Sequence, residues 1–326
     1  MPTGNRSKEG GGRHTTDMSD VQAILVSDVH LQAKAPVARS GEPDWFEAMA
    51  RPLRQIKALS EEAGYCPVLY SGDIFDRWNT APEVINFAMT ELPRGYAVPG
   101  QHDLPNHSYE EIRRSAYWTL VEAGKLVNLP PGEPYTDSLW FDGLKLYGWP
   151  WGHAPQPIDT PDDGDLHIAV IHRFIWCEGT GYQGAPQEGL VKAYKGSLAG
   201  YHVAHFGDNH KGFLRQIKGG PWICNSGGLM RRKIDERDYR PAVGLLHGDG
   251  TVTRYELSIE GEVFSAITEA EMLMEKVLDM SAFVEGLQNL ESDDALDFTV
   301  ALTRFLNDND ISDPVRRVVL QATEGA

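Results

Sequence analysis

The chain has 326 residues, of which 41% are hydrophobic, and its 47 acidic and 30 basic residues give a net charge of −17. This length suits one large domain with an appendage, or two domains, and the apolar fraction excludes a wholly disordered protein. No apolar run approaches the ~18 residues that a membrane helix needs. The three cysteines lie too far apart for a CxxC motif. We therefore expect a cytoplasmic protein without membrane contact.

The first third of the chain has the rhythm of an α/β fold. Residues 1–20 are rich in Gly, Ser and Thr and predict a disordered leader. Short apolar runs then alternate with helical patterns. The predicted strands are 23–26, 67–70 and 96–98, and the predicted helices are 43–63 and 82–91. A capping box of Ser108 and Glu111 predicts a third helix that stops at Gly124.

Strand patterns dominate the middle of the chain and helical patterns its end. The predicted strands there are 139–148, 166–171, 202–206, 213–217, 221–224, 242–247 and 251–258, with one helix at 188–194. Near the C-terminus, Phe298, Leu302 and Phe305 share one helix face, and a last helix starts at Pro314. The sequence thus predicts a leader (1–20), a main domain (21–258) and an acidic helical appendage (259–326).

Polar side chains gather where five of the predicted strands end. The carboxyl ends of strands in open α/β sheets converge on a ligand crevice, so these ends can share one site. Imidazoles and carboxylates together suit Mn²⁺ or Fe²⁺, with Zn²⁺ as an alternative, and a shared carboxylate can bridge two ions ~3.5–4 Å apart. The five clusters are Asp28-x-His30, Gly72-Asp73-x-x-Asp76, Gly100-Gln101-His102-Asp103, His172 and Gly207-Asp208-x-His210.

This ordered set of clusters resembles the calcineurin-like metallophosphoesterase superfamily. Residues 72–76 and 225–232 resemble its SbcD-type DNA exonuclease branch, which includes phage-encoded members. The resemblance covers residues 21–258. It implies an α/β fold, a four-layer αββα sandwich with a two-metal site on one sheet edge, to which the C-terminal residues add a small helical appendage.

The resemblance also implies a role for each matching residue. The expected ligands of the first ion are Asp28, His30 and His210. Asp73 would bridge the two ions. The expected further ligands of the second ion are Gln101, His172 and Asp208.

The remaining matching residues have roles in proton transfer and support. The resemblance implies that His102 is the general acid for the leaving oxygen and that Asp103 orients it. The nucleophile would be a hydroxide activated by the two ions. Asp76 is expected to brace its loop rather than to bind metal.

The chain departs from the family pattern at two of these ligand positions. Gln101 stands where the family usually has Asn, and Asp208 replaces the first histidine of the G-H-x-H motif. Because a carboxylate makes the donor set harder, we expect Mn²⁺ rather than Zn²⁺, with Mg²⁺ and Fe²⁺ as alternatives. If Asp208 turns away from the site, His205 is its nearest substitute in the sequence.

The segment from Arg173 to Arg240 is basic although the whole chain is acidic. It holds 11 basic and six acidic residues, a net charge of +5. Such a segment is either a solvated surface or a rim that contacts the phosphates of a polynucleotide. On the second interpretation we predict that Arg231 and Arg232 bind substrate. The favoured function is a Mn²⁺-dependent DNA exonuclease or endonuclease that acts in DNA repair or recombination.

Two other functions remain open: a phosphoesterase for small molecules or phosphoproteins, and a non-catalytic descendant that binds DNA or a partner. In SbcD-type nucleases, a cap and helices that dock on an SMC-like (SbcC-type) ATPase follow the catalytic domain. We expect residues 259–326 to supply a reduced version of both, and a homodimer is also compatible with the sequence. Because residues 256–326 hold 16 acidic and four basic residues, we expect DNA to approach from the other side.

Overall fold

The computed structural model describes residues 18–138, 141–159, 163–182 and 184–265. These residues form two six-stranded sheets, which confirms the predicted α/β sandwich. The strands are β1 (Val21–Val26), β2 (Val68–Tyr70), β3 (Gly95–Ala97), β4 (Leu126–Asn128), β5 (Pro134–Tyr135), β6 (Leu144–Trp149), β7 (Leu166–His172), β8 (Val203–Gly207), β9 (Phe213–Gln216), β10 (Trp222–Asn225), β11 (Ala242–His247) and β12 (Val252–Glu256). The sequence did not predict β4 and β5, which have only three and two residues.

Parallel pairing brings the ends of the site-bearing strands together. The first sheet has the order β12-β11-β1-β2-β3-β4, and the second has β5-β6-β7-β8-β10-β9. Strands β1 to β4 run parallel, so Val26, Tyr70 and Ala97 lie at the same level. Strands β7 and β8 are also parallel, and His172 pairs with Gly207. All five predicted clusters therefore follow strands whose carboxyl ends face one way in each sheet.

The side chains of β1 alternate between two cores. Ile24 and Val26 pack towards three helices, α1 (Trp45–Glu62), α2 (Pro82–Glu91) and α3 (Ala116–Glu122), while Ala23 and Leu25 pack against the second sheet. Such alternation is expected of a strand that is buried on both faces. The two sheets thus share one core, and the helices cover the outer face of the first sheet.

The outer face of the second sheet is covered by 3-10 helices. The predicted α-helix at 188–194 is wrong, because the extended backbone of Leu190 separates two 3-10 helices, Gln187–Gly189 and Val191–Lys195. Tyr194 of the second one packs in a core with Ala169 and Ile171 of β7. This covering layer stands beside the strand that delivers His172.

The third helix starts later than its capping box predicts. Ser108 gives its hydroxyl hydrogen bond to Glu110, and residues 109–114 form a 3-10 helix. The cap is Ser115, whose side chain accepts a hydrogen bond from the Trp118 amide. The Glu111 carboxylate bonds the side chains of Asn106 and Arg114. The predicted capping box of Ser108 and Glu111 is therefore wrong.

Both predicted domain boundaries lie close to residues that pack on the fold. Met18–Asp20 form a 3-10 helix with Met18 buried, so the end of the predicted leader joins the domain. Residues 259–264, predicted as appendage, bond to side chains of the main domain. The rest of the predicted leader and the predicted C-terminal helices lie outside the described residues. None of the described helices is long and apolar enough to span a membrane.

His205 joins the two sheets and predicts how stability depends on pH. Its Nε2 lies 2.9 Å from the Val26 carbonyl of β1, and burial lowers its pKa to about 4. The unfolded chain takes up this proton near pH 6.5, so stability falls as the pH drops from 6.5 to 4. The loss from this group is at most about 3 kcal/mol.

The measurement is the free energy of unfolding in urea at pH values between 4 and 7.5. His205→Gln keeps an N–H for the Val26 carbonyl but takes up no proton. We expect its stability to fall less steeply with pH than that of the wild type, since all other groups are shared. Equal slopes for the two proteins would contradict the role given to His205.

Candidate metal centre

The backbone itself is bent to aim the predicted ligands. Asp28, His30, Asp73 and Asp208 all have positive φ, of 50°, 51°, 52° and 80°. For residues with a Cβ atom, each such angle costs on the order of 1 kcal/mol and is concentrated at functional sites. The strand ends therefore carry backbone strain at four of the predicted ligands.

Two glycines allow these strand ends to approach closely. A Cβ atom on Gly72 would lie 2.1 Å from Nδ1 of His172, and one on Gly100 would lie 2.1 Å from Oδ1 of Asp73. Both positions exclude any side chain. These two glycines thus allow the Asp73 carboxylate and the His172 imidazole to lie close to the neighbouring strand ends.

The ligands predicted for the first ion form one group. Ligand atoms of Asp28, His30 and His210 lie within 4.8 Å of one another. The Nε2 atoms of the two imidazoles are 3.1 Å apart. Burial, followed by the charge of Arg232, lowers the pKa of His30 well below its usual value and that of His210 to about 3. Both rings are thus neutral and can offer lone pairs to a shared cation.

Asp73 lies between the two halves of the site, as a bridging ligand must. Its Oδ2 is 3.7 Å from Nε2 of His30 and 3.5 Å from Nε2 of His172. Nδ1 of His172 is 2.6 Å from the Ser71 carbonyl, which can only accept, so Nδ1 carries a proton and Nε2 faces the site. The Ser71 carbonyl was not predicted, because no sequence motif marks a main-chain acceptor.

Gln101 connects the remaining predicted ligands. Its side-chain oxygen lies 2.6 Å from Nε2 of His172, and its amide nitrogen donates to Oδ1 of Asp208 at 2.8 Å. Asp208 thus faces the site, while His205 faces the Val26 carbonyl, and this geometry favours Asp208 over its substitute. All seven predicted ligands meet at one place, and their roles as ligands stay predictions.

The electrostatics of this cluster demand a positive charge. Burial, together with repulsion from Asp73 and Asp208, raises the pKa of Asp28 to about 7, although His172 opposes this rise. Burial also raises the pKa of Asp208. Burial lowers the pKa of His172, but the charge of Asp73 outweighs it and raises that pKa to about 10. The buried carboxylates, the neutral imidazoles of His30 and His210 and the Gln101 amide oxygen match the donor set of hard or borderline divalent cations, which His172 joins when it gives up one proton.

His102 lies beside the metal ligands, but Asp103 does not orient its ring. Asp103 is buried and accepts hydrogen bonds from the amides of Ile74, Phe75 and Gly100. The ring nitrogen Nδ1 of His102 lies 2.9 Å from the Asp76 carbonyl instead. The predicted role of Asp103 is therefore wrong, since its oxygens hold two loops together.

Asp76 was expected to brace its loop rather than bind metal, which stays a prediction, since its carboxylate also lies within 4.8 Å of ligand atoms of His30 and His102. Its amide donates to the Leu31 carbonyl, its carbonyl accepts from His102, and its carboxylate pairs with Arg232. Its Oδ1 lies 3.7 Å from Nδ1 of His30. Asp76 thus connects an arginine to the ring predicted to act as the acid.

The two arginines predicted to bind substrate point in different directions. Arg231 is only 5% exposed, and its guanidinium bonds Glu262 and the Arg237 carbonyl. The prediction that Arg231 contacts substrate is therefore wrong, because its guanidinium is buried away from solvent. Arg232 reaches the site through Asp76, and its role in binding stays a prediction.

Comparison with known proteins identifies the family. The calcineurin-like phosphoesterase profile matches residues 22–190, about half of the chain. The chain belongs to this family. The matched part includes the clusters from Asp28 to His172, and the folded chain adds Asp208 and His210 to the same site. This phosphoesterase is therefore a hydrolase of phosphoester bonds that works with divalent metal.

A solved structure and the curated proteins complete the comparison. The phosphopantetheinyl hydrolase PptH from Mycobacterium tuberculosis is similar to this phosphoesterase over 75% of its chain and 98% of PptH, with 12% identity and a TM-score of 0.39. None of the curated proteins compared with it matches its sequence.

The site predicts which residue completes the second half of the metal centre. We expect calorimetry to find two Mn²⁺ ions per wild-type chain. Asp208→Asn should bind one ion at the same concentrations, because the amide lacks the charge that holds Mn²⁺. His205→Gln should bind two, since His205 faces the Val26 carbonyl. One ion in His205→Gln together with two in Asp208→Asn would contradict this assignment.

Proposed function

We propose that this phosphoesterase is a Mn²⁺-dependent DNA nuclease of the SbcD type. The observation that carries the proposal is the placing of basic residues at the metal centre. Lys211 follows His210 directly, Lys233 follows Arg232, and both lysines are exposed. The charge of Lys233 contributes to the lowered pKa of His210, so this lysine lies near the site. Such lysines suit a substrate with phosphates on both sides of the cleaved bond.

The ligands divide the work of holding the metal. One ion would be held by Asp28, His30 and His210, the other by Gln101, His172 and Asp208, with Asp73 shared. When bound, the ions withdraw charge from the phosphoryl oxygens and lower the pKa of water at the site.

His102 has the properties of a general acid. Because Nδ1 donates to the Asp76 carbonyl, Nε2 is the nitrogen that can give a proton to the leaving oxygen. Burial lowers the pKa of His102, but the charge of Asp73 and the bond to Asp76 outweigh it and raise that pKa. The protonated ring required of an acid is thereby favoured.

Arg232 would bind a phosphoryl oxygen beside this acid. A guanidinium has five N–H donors, so it can hold Asp76 with one and a phosphate oxygen with another. This contact would place the scissile phosphate next to His102.

The proposed partners follow from the C-terminal region. An SMC-like ATPase would dock on residues 259–326, whose negative charge keeps this region apart from DNA. A homodimer is a second proposed assembly. Co-purification with an SMC-like ATPase that depends on these residues tests the first proposal, and light scattering tests the second.

The test of function is cleavage of end-labelled single-stranded and double-stranded DNA. We expect cleavage with Mn²⁺ and less with Mg²⁺ or Zn²⁺, because the carboxylates of the donor set suit Zn²⁺ less well and its imidazoles suit Mg²⁺ less well. Lys211→Ala with Lys233→Ala should weaken DNA binding and reduce the slope of log affinity against log salt by about two. Cleavage of bis-p-nitrophenyl phosphate without cleavage of any DNA would contradict the proposal and favour a small-molecule substrate.

The general acid predicts a difference between leaving groups. His102→Gln should lower kcat on DNA by about 10²–10⁴-fold, because the leaving alkoxide needs a proton. It should lower kcat on bis-p-nitrophenyl phosphate far less, because p-nitrophenolate leaves without one. Affinity for Mn²⁺, measured by calorimetry, is the control and should be unchanged. An equal loss on both substrates would contradict the assignment of His102.

A further inference from the structure

The loop after β10 carries neighbouring arginines in opposite directions. Arg231 enters the domain interior, while Arg232 reaches Asp76 at the metal centre. Because the two residues share a peptide bond, whatever fixes Arg231 restricts where the side chain of Arg232 can go. The residues that hold Arg231 therefore bear on the site.

Arg231 belongs to a buried cluster that we call the arginine clamp, formed by Arg39, Glu42, Arg231, Glu262 and Phe264. Nε and Nη2 of Arg231 each lie 2.8 Å from Oε2 of Glu262, and Nη1 of Arg39 lies 3.1 Å from the same oxygen. Arg39 also pairs with Glu42 at 2.5 Å. The guanidinium carbons of Arg231 and Arg39 lie 4.9 and 5.1 Å from the Phe264 ring centroid. The clamp thus joins three distant parts of the chain.

The clamp also holds the main chain of the loop. Nη1 of Arg39 donates to the Arg231 carbonyl at 2.7 Å, and this carbonyl belongs to the peptide that continues into Arg232. The amide of Arg232 donates to Glu236 at 2.5 Å. The carbonyl and the amide of the peptide between the two arginines are therefore both hydrogen-bonded. The Arg232 side chain thus starts from a fixed position of the main chain.

Buried charge is a costly way to anchor a loop. Ion pairs in the interior recover little more than their desolvation cost, and apolar side chains of similar volume are often at least as stable. What the ions provide is direction, since two N–H groups of the Arg231 guanidinium converge on one oxygen of the Glu262 carboxylate, Oε2. A buried ionic cluster next to Arg232, the arginine proposed to bind substrate, indicates that the position of this side chain matters for function.

We propose that the arginine clamp positions Arg232 for a phosphoryl oxygen of the substrate, with Glu262 and Phe264 as positioning residues. The inference rests on the phosphate contact given to Arg232 in the proposed function. Glu262 and Phe264 lie outside the part of the chain that matches the family. On this proposal they nevertheless help to determine substrate binding.

The test is a double-mutant cycle on the full Mn²⁺-loaded chain. Its readout is the Kd for inorganic phosphate by calorimetry, with KM and kcat for bis-p-nitrophenyl phosphate beside it. Arg232→Ala should raise the Kd about tenfold, the loss of one charge-assisted hydrogen bond. Glu262→Gln and Phe264→Leu should each raise Kd and KM about threefold, with kcat and Mn²⁺ affinity unchanged. In the Arg232→Ala background neither should have a further effect.

Controls separate positioning from general stability. Glu262→Asp keeps the carboxylate and should recover part of the affinity. Glu91→Gln breaks the ion pair with Arg54 between α1 and α2 and should leave Kd and KM unchanged. Every variant is measured below its own Tm.

Equal effects of Glu262→Gln with and without Arg232 would overturn the inference, as would an unchanged Kd in Arg232→Ala. If the wild-type chain cleaves no DNA but the coupling between Arg232 and Glu262 is observed, the proposed nuclease function would be overturned instead. The two failures are therefore distinguishable.

Discussion

The structure depends on gathering like charges where side chains are buried from solvent. Three carboxylates, those of Asp28, Asp73 and Asp208, meet at the strand ends, and burial raises the pKa of Asp28 and Asp208. Repulsion of this kind is tolerable only beside positive charge. The positive φ angles, the glycines that admit close approach and the ring of His172 all serve this one arrangement. The rest of the sandwich supports this arrangement, because the shared core packs the two sheets against each other.

Much of this site could be predicted from the sequence, because each cluster directly follows a strand. In parallel sheets the carboxyl ends converge, so short local patterns are enough to bring Asp28, Asp73 and His172 together. Orientation within a cluster could not be predicted in the same way. Asp103 stands next to His102 in sequence, yet its carboxylate accepts a hydrogen bond from an amide of another loop. The His102 ring is held instead by the main-chain carbonyl of Asp76. No side-chain pattern encodes such an acceptor.

The fold could also be predicted where the sequence pattern is local. The prediction failed where a contact between side chain and main chain decides the structure. Short apolar runs predicted most of the strands and helical patterns predicted the first two helices. The start of α3 depended on which serine side chain accepts a hydrogen bond from a main-chain amide, and this is Ser115 rather than Ser108. Arg231 and Arg232 show the limit most clearly, since nothing local distinguishes them. Which of the two is buried is decided by Glu262 and Phe264, about 30 residues further along the chain.

We expect these ligands to hold two ions with Asp73 between them. Diffraction from crystals grown with Mn²⁺, measured at the manganese absorption edge, tests it most directly. We expect two anomalous peaks on either side of Asp73, one beside Asp28, His30 and His210 and the other beside Gln101, His172 and Asp208. A single peak, or a peak held by His30, Asp76 and His102, whose ligand atoms also lie within 4.8 Å of one another, would contradict it.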